Sequence, residues 1–125
     1  MNVSRIYALA FGAVYTLVGL VGFAVAPTMT TANLIIFPVN AAHNAVHLGA
    51  GLIGLAAFFL VRDVVYARGM AVVFAILAVA GFLPQPLLGI VPIGGWDIAL
   101  HGATAVLGAA AGFMYAGSYR ARVAA

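Results

Sequence analysis

The fold follows first from the stretch Ile6–Ala26, which reads IYALAFGAVYTLVGLVGFAVA and contains no charged residue. A helix of this length spans the hydrocarbon core of a bilayer, which is about 30 Å thick. The rest of the chain has the same character: 66% of its 125 residues are hydrophobic, 6% are charged, and its mean hydropathy is +1.22. Because a water-soluble domain of this size cannot bury so much apolar surface, the sequence predicts an integral membrane protein.

Three further segments have the length and composition of membrane spans: Ala41–Val61, Tyr66–Leu83 and Asp97–Tyr115. Before the second span, residues 27–39 read as a polar loop followed by a short apolar segment at the interface. The first span has one alternative interpretation, a signal peptide cleaved after Ala24-Val25-Ala26. We favour a span because the chain repeats this pattern further on. The prediction is an all-α polytopic membrane protein with four transmembrane helices in one domain, residues 1–125.

All lysine and arginine charges fall on one side of this four-span path. They are Arg5, Arg62, Arg68, Arg120 and Arg122. The two connecting segments on the other side contain neither Lys nor Arg. Loops rich in positive charge stay in the cytoplasm, so the sequence predicts a multi-pass protein of the cell (inner) membrane with both termini cytoplasmic.

The chain also contains an internal repeat. The positions that match between its two halves include, in pairs, Tyr7 and Tyr66, Gly22 and Gly81, Pro38 and Pro92, His47 and His101, and Gly54 and Gly108. Repeat 1 covers about residues 5–61 and repeat 2 about 64–117. Each repeat starts and ends on the same side, which predicts two tandem helical hairpins related by a pseudo-two-fold axis along the membrane normal.

This arrangement places spans one and three on one diagonal and spans two and four on the other. Spans two and four carry rows of small residues, namely Gly51 and Gly54 in the former and Ala105, Gly108 and Gly112 in the latter. Small residues let membrane helices approach closely. We therefore expect spans two and four to form the inner pair and spans one and three to face more lipid.

Two related polar motifs precede and enter spans two and four. They read Pro38-Val39-Asn40-x-x-His43-Asn44-x-x-His47-Leu48 and Pro92-x-x-x-x-Asp97-x-x-x-His101. With the paired hairpins, they resemble small bacterial four-span proteins of the domain of unknown function family 4383 over nearly the whole chain. Such proteins are expected to carry Asn where this chain has Gly94, and a polar residue where it has Ile98. The resemblance implies the fold and a membrane location, and the family brings no established activity.

The motifs supply candidate ligands in His43, His47, Asp97 and His101. His43 and His47 are four residues apart, as are Asp97 and His101, so each pair shares one face of its helix. Three imidazoles and a carboxylate suit a divalent metal such as zinc or copper. His47 and His101 alone could instead ligate a haem or a chlorophyll-type magnesium from opposite sides.

A simpler interpretation is that these side chains only hold helices together. Asn40 is a good N-cap residue and Gly94 is acceptable at the matching position, which would put His43 and Asp97 at the third helical position. The first hypothesis is therefore a non-enzymatic structural, accessory or assembly subunit. Its partners would be the lipid bilayer and a homodimer or larger membrane complex, with no nucleic acid. The alternatives are a metal- or tetrapyrrole-binding membrane protein, and a small-solute or proton channel or transporter.

Overall fold

The computed structural model of the protein describes residues 1–116, and within them the chain forms four long helices. Their bounds are α1 Val3–Val25, α2 Ala41–Phe59, α3 Asp63–Ala80 and α4 Trp96–Ala109, with a π-helical turn at Ala110–Met114 continuing α4. Each helix, with α4 taken through this turn, is long and apolar enough to cross a membrane. The predicted four-span integral membrane protein is confirmed. The end of repeat 2 at residue 117 and the charges Arg120 and Arg122 lie outside the described residues.

The helix ends differ from the predicted ones by a few residues. α3 begins at Asp63 rather than Tyr66, and it ends at Ala80 rather than Leu83. Asp63 lies in the first turn, where the positive end of the helix stabilises a carboxylate. Pro84 follows shortly after the observed end, and a proline disfavours helical conformation in the residue before it.

The connection between α1 and α2 contains an antiparallel β-hairpin that the sequence analysis did not predict. Strand β1 covers Ala32–Leu34 and strand β2 covers Phe37–Val39. The turn between them places Ile35 at a positive φ of 61°. Two-residue hairpin turns usually carry Asn or Gly at such positions, because a β-branched residue is strained there. The turn therefore lacks the sequence signal that identifies most hairpins.

The helices pack most closely within each hairpin, α1 against α2 and α3 against α4. A Cβ added at Gly51 of α2 would collide with the backbone of Thr16 in α1. A Cβ added at Gly108 of α4 would lie 2.9 Å from the carbonyl oxygen of Ala67 in α3. Gly51 and Gly108 thus face the other helix of their own hairpin, while Gly54 lies against Tyr66 of α3 as well as Gly12 of α1. The expected inner pair of spans two and four is wrong.

Between the hairpins, the closer backbone contact is that of α1 with α3. Ala8 and Ala67 are fully buried in these helices. The rings of Tyr7 and Tyr66 lie 6.0 Å apart between centroids. Helices α2 and α4 instead meet through long polar side chains at one end of the bundle. We call this the loop end, since segments 26–40 and 81–95 connect the helices there.

Candidate metal centre

Asn40 fixes the start of α2 at the loop end. Its side-chain oxygen accepts a hydrogen bond from the backbone N–H of His43 at 3.0 Å, which confirms the predicted N-cap. Its amide nitrogen donates to the carbonyl oxygen of Ile90 at 2.7 Å, and Ile90 belongs to the other connecting segment. The Asn40 side chain is fully buried. One residue therefore starts the helix that carries two histidines and ties it to the segment that leads into α4.

The start of α4, which corresponds to that of α2 in the repeat, lies one residue later than expected. The N-cap of α4 is Gly95, with φ 64°, rather than Gly94. Asp97 is consequently the second residue of α4, and His101 follows one turn later on the same face. A carboxylate in the first turn is favoured by the helix dipole.

The ring of His43 lies at the centre of the polar cluster. Its Nδ1 is 3.0 Å from the carbonyl oxygen of Pro38, and because a carbonyl only accepts, this nitrogen carries the hydrogen. Its Nε2 lies 3.0 Å from Nε2 of His47 and 3.3 Å from Oδ2 of Asp97. In neutral His43, Nε2 is the lone-pair nitrogen, and it faces a second imidazole and a carboxylate.

His101 completes the group from α4. Its ring centroid is 6.1 Å from that of His43 and 6.5 Å from that of His47. Each of the three histidines offers one possible ligand atom, and these atoms lie within 4.8 Å of one another. The structure thus brings all four candidate ligands together at the loop end. The three histidines form one set of possible ligands. Asp97 lies next to this set, since its Oδ2 is 3.3 Å from Nε2 of His43.

These side chains are almost completely withdrawn from the surface, with 0% exposure for Asp97 and at most 2% for the three histidines. Among residues 1–116, no hydrogen-bond partner is present for either carboxyl oxygen of Asp97, for Nδ1 of His47 or for Nδ1 of His101. Most buried polar atoms have such a partner, and exceptions at a cluster often mark a bound ion or ordered water. Hydrogen bonding within the protein therefore leaves the cluster incomplete.

The family model of the domain of unknown function DUF4383 matches residues 5–114. The chain belongs to this family. Comparison with curated proteins and with solved structures finds no match. The matched region of this DUF4383 protein includes nearly all of the four helices and the whole polar cluster, so the cluster lies within the domain that defines the family.

Two aromatic rings hold the histidines of the DUF4383 protein in place, and the sequence analysis did not assign them to the site. Tyr15 of α1 packs edge-on against His47 at 5.0 Å and 76°, and Phe74 of α3 packs against His101 at 5.2 Å and 77°. The Tyr15 hydroxyl also hydrogen-bonds Oγ1 of Thr104 at 2.7 Å. The repeat alignment already paired Tyr15 with Phe74, and this was the signal that could have revealed them.

The dimensions of the cluster suit a single ion better than a tetrapyrrole. Metal–nitrogen bonds of about 2.0–2.1 Å in a tetrahedral zinc site put neighbouring ligand atoms about 3.3 Å apart. The observed separation between Nε2 of His43 and Nε2 of His47 is 3.0 Å, and the possible ligand atoms of all three histidines lie within 4.8 Å of one another. The cavity that borders the histidines has a volume of about 90 Å³, whereas pockets for cofactor-sized molecules measure about 300–1,000 Å³.

Proposed function

We propose that this DUF4383 protein is an integral membrane protein that binds one transition-metal ion, zinc or copper, at its loop end. His43, His47 and His101 supply the ligand nitrogens, and Asp97 supplies a negative charge beside them. The observation that carries the proposal is the set of three buried histidines with ligand atoms within 4.8 Å, next to a buried carboxylate. The proposal concerns binding, and it includes no catalytic reaction.

The balance of charge and hydrogen bonds supports an ion over purely structural contacts. A carboxylate buried without a donor costs several kcal/mol, and a nearby cation offsets that cost. The hydrogen bond from His43 to Pro38 also has the form of an outer-shell contact. Metal-binding histidines commonly donate their second ring N–H to a carbonyl or carboxylate, which orients the other nitrogen toward the metal.

The chemistry of the ligand atoms limits which metal ions suit the site. Imidazole nitrogens favour zinc, copper, iron and nickel, whereas magnesium and calcium prefer sites built mainly from oxygen ligands. The chain contains no cysteine, so thiolate ligands are excluded. From this group we propose zinc and copper.

The test is metal binding by the protein purified in mild detergent and freed of metal with a chelator. We expect one zinc ion per chain by elemental analysis after dialysis. Removing a residue that hydrogen-bonds to a metal ligand lowers metal affinity about 10–100-fold. Because His47→Ala removes a ligand itself, we expect it to lower the affinity for zinc by at least that factor. Tyr15→Phe is the matched control, because it keeps the ring against His47 and removes no ligand. A folded wild-type protein that takes up neither zinc nor copper overturns the proposal.

We infer that the metal centre lies near the outer face of the inner membrane. Arg5, Arg62 and Arg68 belong to the end of the bundle opposite the loop end, and the positive-inside rule assigns that end to the cytoplasm. A cysteine introduced at the exposed Leu88, in the connection before α4, tests the orientation. It should react with a membrane-impermeant thiol reagent added to the outside of cells whose outer membrane has been permeabilised. Labelling only after the inner membrane is broken would reverse the orientation.

A structural, accessory or assembly subunit is the second candidate, either in a homodimer or in a larger membrane complex. It is favoured by the small amount of described chain outside the helices, which leaves mainly lipid-facing surface for partners. Leu17, Ile53 and Val79 are each more than 60% exposed on that surface. Co-purification from native membranes in mild detergent tests this role, and a lone protomer would reject it. We do not propose transport, because the buried histidines and Asp97 are confined to the loop end.

A further inference from the structure

A small cavity of about 90 Å³ lies directly beside the three histidines. Its wall includes His43, His47 and His101, while Asp97 is absent from it. The remaining lining residues are all apolar, and they are Val46, Phe74, Leu77, Leu87, Val91 and Ile93. The histidine set therefore borders an apolar chamber, and Asp97 lies next to His43 outside the chamber wall.

We propose that this site, when it holds copper as Cu(I), keeps one coordination position open toward the chamber, where the copper binds a small neutral diatomic molecule. This inference rests on the proposed metal site. Three protein ligands with an open fourth position are the usual arrangement in metal sites that bind an exogenous ligand, whereas purely structural sites are closed by four protein ligands.

The size and lining of the chamber define the class of ligand. One water molecule takes about 30 Å³ of liquid volume, so the chamber has room for a diatomic molecule but not for a metabolite. A stable buried water needs two to four polar partners, and six of the nine lining residues offer none. A charged ligand would lose its hydration without gaining a donor from the six apolar residues. A neutral diatomic such as dioxygen, carbon monoxide or nitric oxide has neither requirement.

The chamber also has a route from the bilayer. Val46 lines it and is 45% exposed on the lipid-facing surface of α2. Leu77 of α3 lines it as well and is only partly buried. Small neutral diatomics dissolve readily in hydrocarbon, so they can reach the metal through the membrane without crossing the polar loops.

The experiment uses carbon monoxide on the copper-loaded protein. The full chain in detergent is loaded anaerobically with Cu(I), its copper content is measured, and carbon monoxide is added while the C–O stretching band is followed by infrared spectroscopy. We expect one band and one carbon monoxide per copper. Val46→Phe and Leu77→Phe, which fill the chamber from two helices, should weaken carbon monoxide binding at least about tenfold without loss of copper. Val72→Phe, on the exposed face of α3 away from the chamber, should leave it unchanged.

The outcomes separate this inference from the metal site itself. Copper bound without a carbon monoxide band overturns the open position and leaves the metal proposal standing. A carbon monoxide affinity unchanged in both chamber-filling variants shows that the ligand binds elsewhere, and it overturns the chamber. Failure to bind copper and zinc overturns the metal site and this inference with it.

Discussion

Two glycines of α4 allow a sharp test of how this helix packs. A Cβ added at Gly108 would lie 2.9 Å from the carbonyl oxygen of Ala67, 2.9 Å from the hydroxyl of Tyr7 and 3.1 Å from the backbone nitrogen of Ala71. A Cβ added at Gly102 would meet no atom within 4 Å among the described residues. Gly108→Ala and Gly102→Ala are therefore the same chemical change in the same helix, made in a tight and in an open environment.

The expected loss of stability in Gly108→Ala follows from how far α4 must move away from α3. Ordinary contact begins at 3.4 Å, so α4 would have to move by about 0.5 Å away from α3 to admit the methyl group. Two of the three obstructing atoms belong to the backbone of α3 and cannot turn aside. Overpacking of this kind costs about 1–3 kcal/mol. The gain in helix propensity on replacing glycine with alanine, up to about 1 kcal/mol, is common to both variants and cancels in their comparison.

We expect Gly108→Ala to have a free energy of unfolding about 1–3 kcal/mol lower than that of Gly102→Ala. Unfolding can be followed by titration of detergent micelles with SDS, with Trp96, the only tryptophan, as the fluorescent probe and far-ultraviolet circular dichroism as a second signal. Equal stability of the two variants would refute the close packing of α4 on α3. Greater stability of Gly108→Ala would refute it as well.

Three further substitutions, at two positions, test the neighbourhood of the candidate metal centre. Tyr15→Phe removes a hydroxyl 2.7 Å from Oγ1 of Thr104, and we expect it to lower the free energy of unfolding by about 0.5–1.5 kcal/mol; an unchanged SDS midpoint would show that this bond contributes nothing. Asn40→Ala removes both the N-cap and the bond to Ile90, whereas Asn40→Asp keeps a capping oxygen and loses only the amide donor. Hydrogen exchange at the His43 amide should accelerate in Asn40→Ala and much less in Asn40→Asp, and equal acceleration would mean that the cap does not protect this amide.

The membrane fold could be predicted from the sequence because it depends on composition and segment length. A span needs about 20 mostly apolar residues, and segments such as Ile6–Ala26 meet that requirement without reference to the rest of the chain. The N-cap at Asn40 was equally accessible, since its signal is a single residue immediately before the helix. Burial of the four candidate ligands at one end followed from two helices that start at the same membrane face.

The packing of the helices could not be predicted in the same way. A row of glycines shows that a helix is approached closely, but it does not say by which neighbour. Gly51 and Gly108 were assigned to each other's helices, whereas they face α1 and α3. The β-hairpin was missed because its turn residues, Ile35 and Ile36, are not among those that signal a two-residue hairpin turn.

The repeat-equivalent contacts argue for the duplicated origin of the bundle, although the two-fold axis itself stays a prediction. The Tyr7 hydroxyl donates to the carbonyl oxygen of Thr104 at 3.0 Å, and the Tyr66 hydroxyl donates to that of Ala50 at 3.1 Å. The alignment that pairs Tyr7 with Tyr66 and His47 with His101 also pairs Ala50 with Thr104. Each tyrosine therefore bonds the equivalent carbonyl in the opposite hairpin.

The two halves also differ at two positions of the polar cluster, where the second half has Gly94 and Asp97 in place of Asn40 and His43. A Cβ at Gly94 would lie 2.8 Å from the side chain of Gln85, whose amide oxygen accepts the backbone N–H of Ile93 at 2.9 Å. Gln85 thus occupies the space beside the position where the first half has Asn40. The exchange of His43 for Asp97 matters most for the proposed ion. A fully symmetric pair of halves would offer four neutral imidazoles, whereas Asp97 brings the negative charge that offsets a buried cation. Under the proposed function, Asp97 therefore supplies a charge that a symmetric set of histidines would lack.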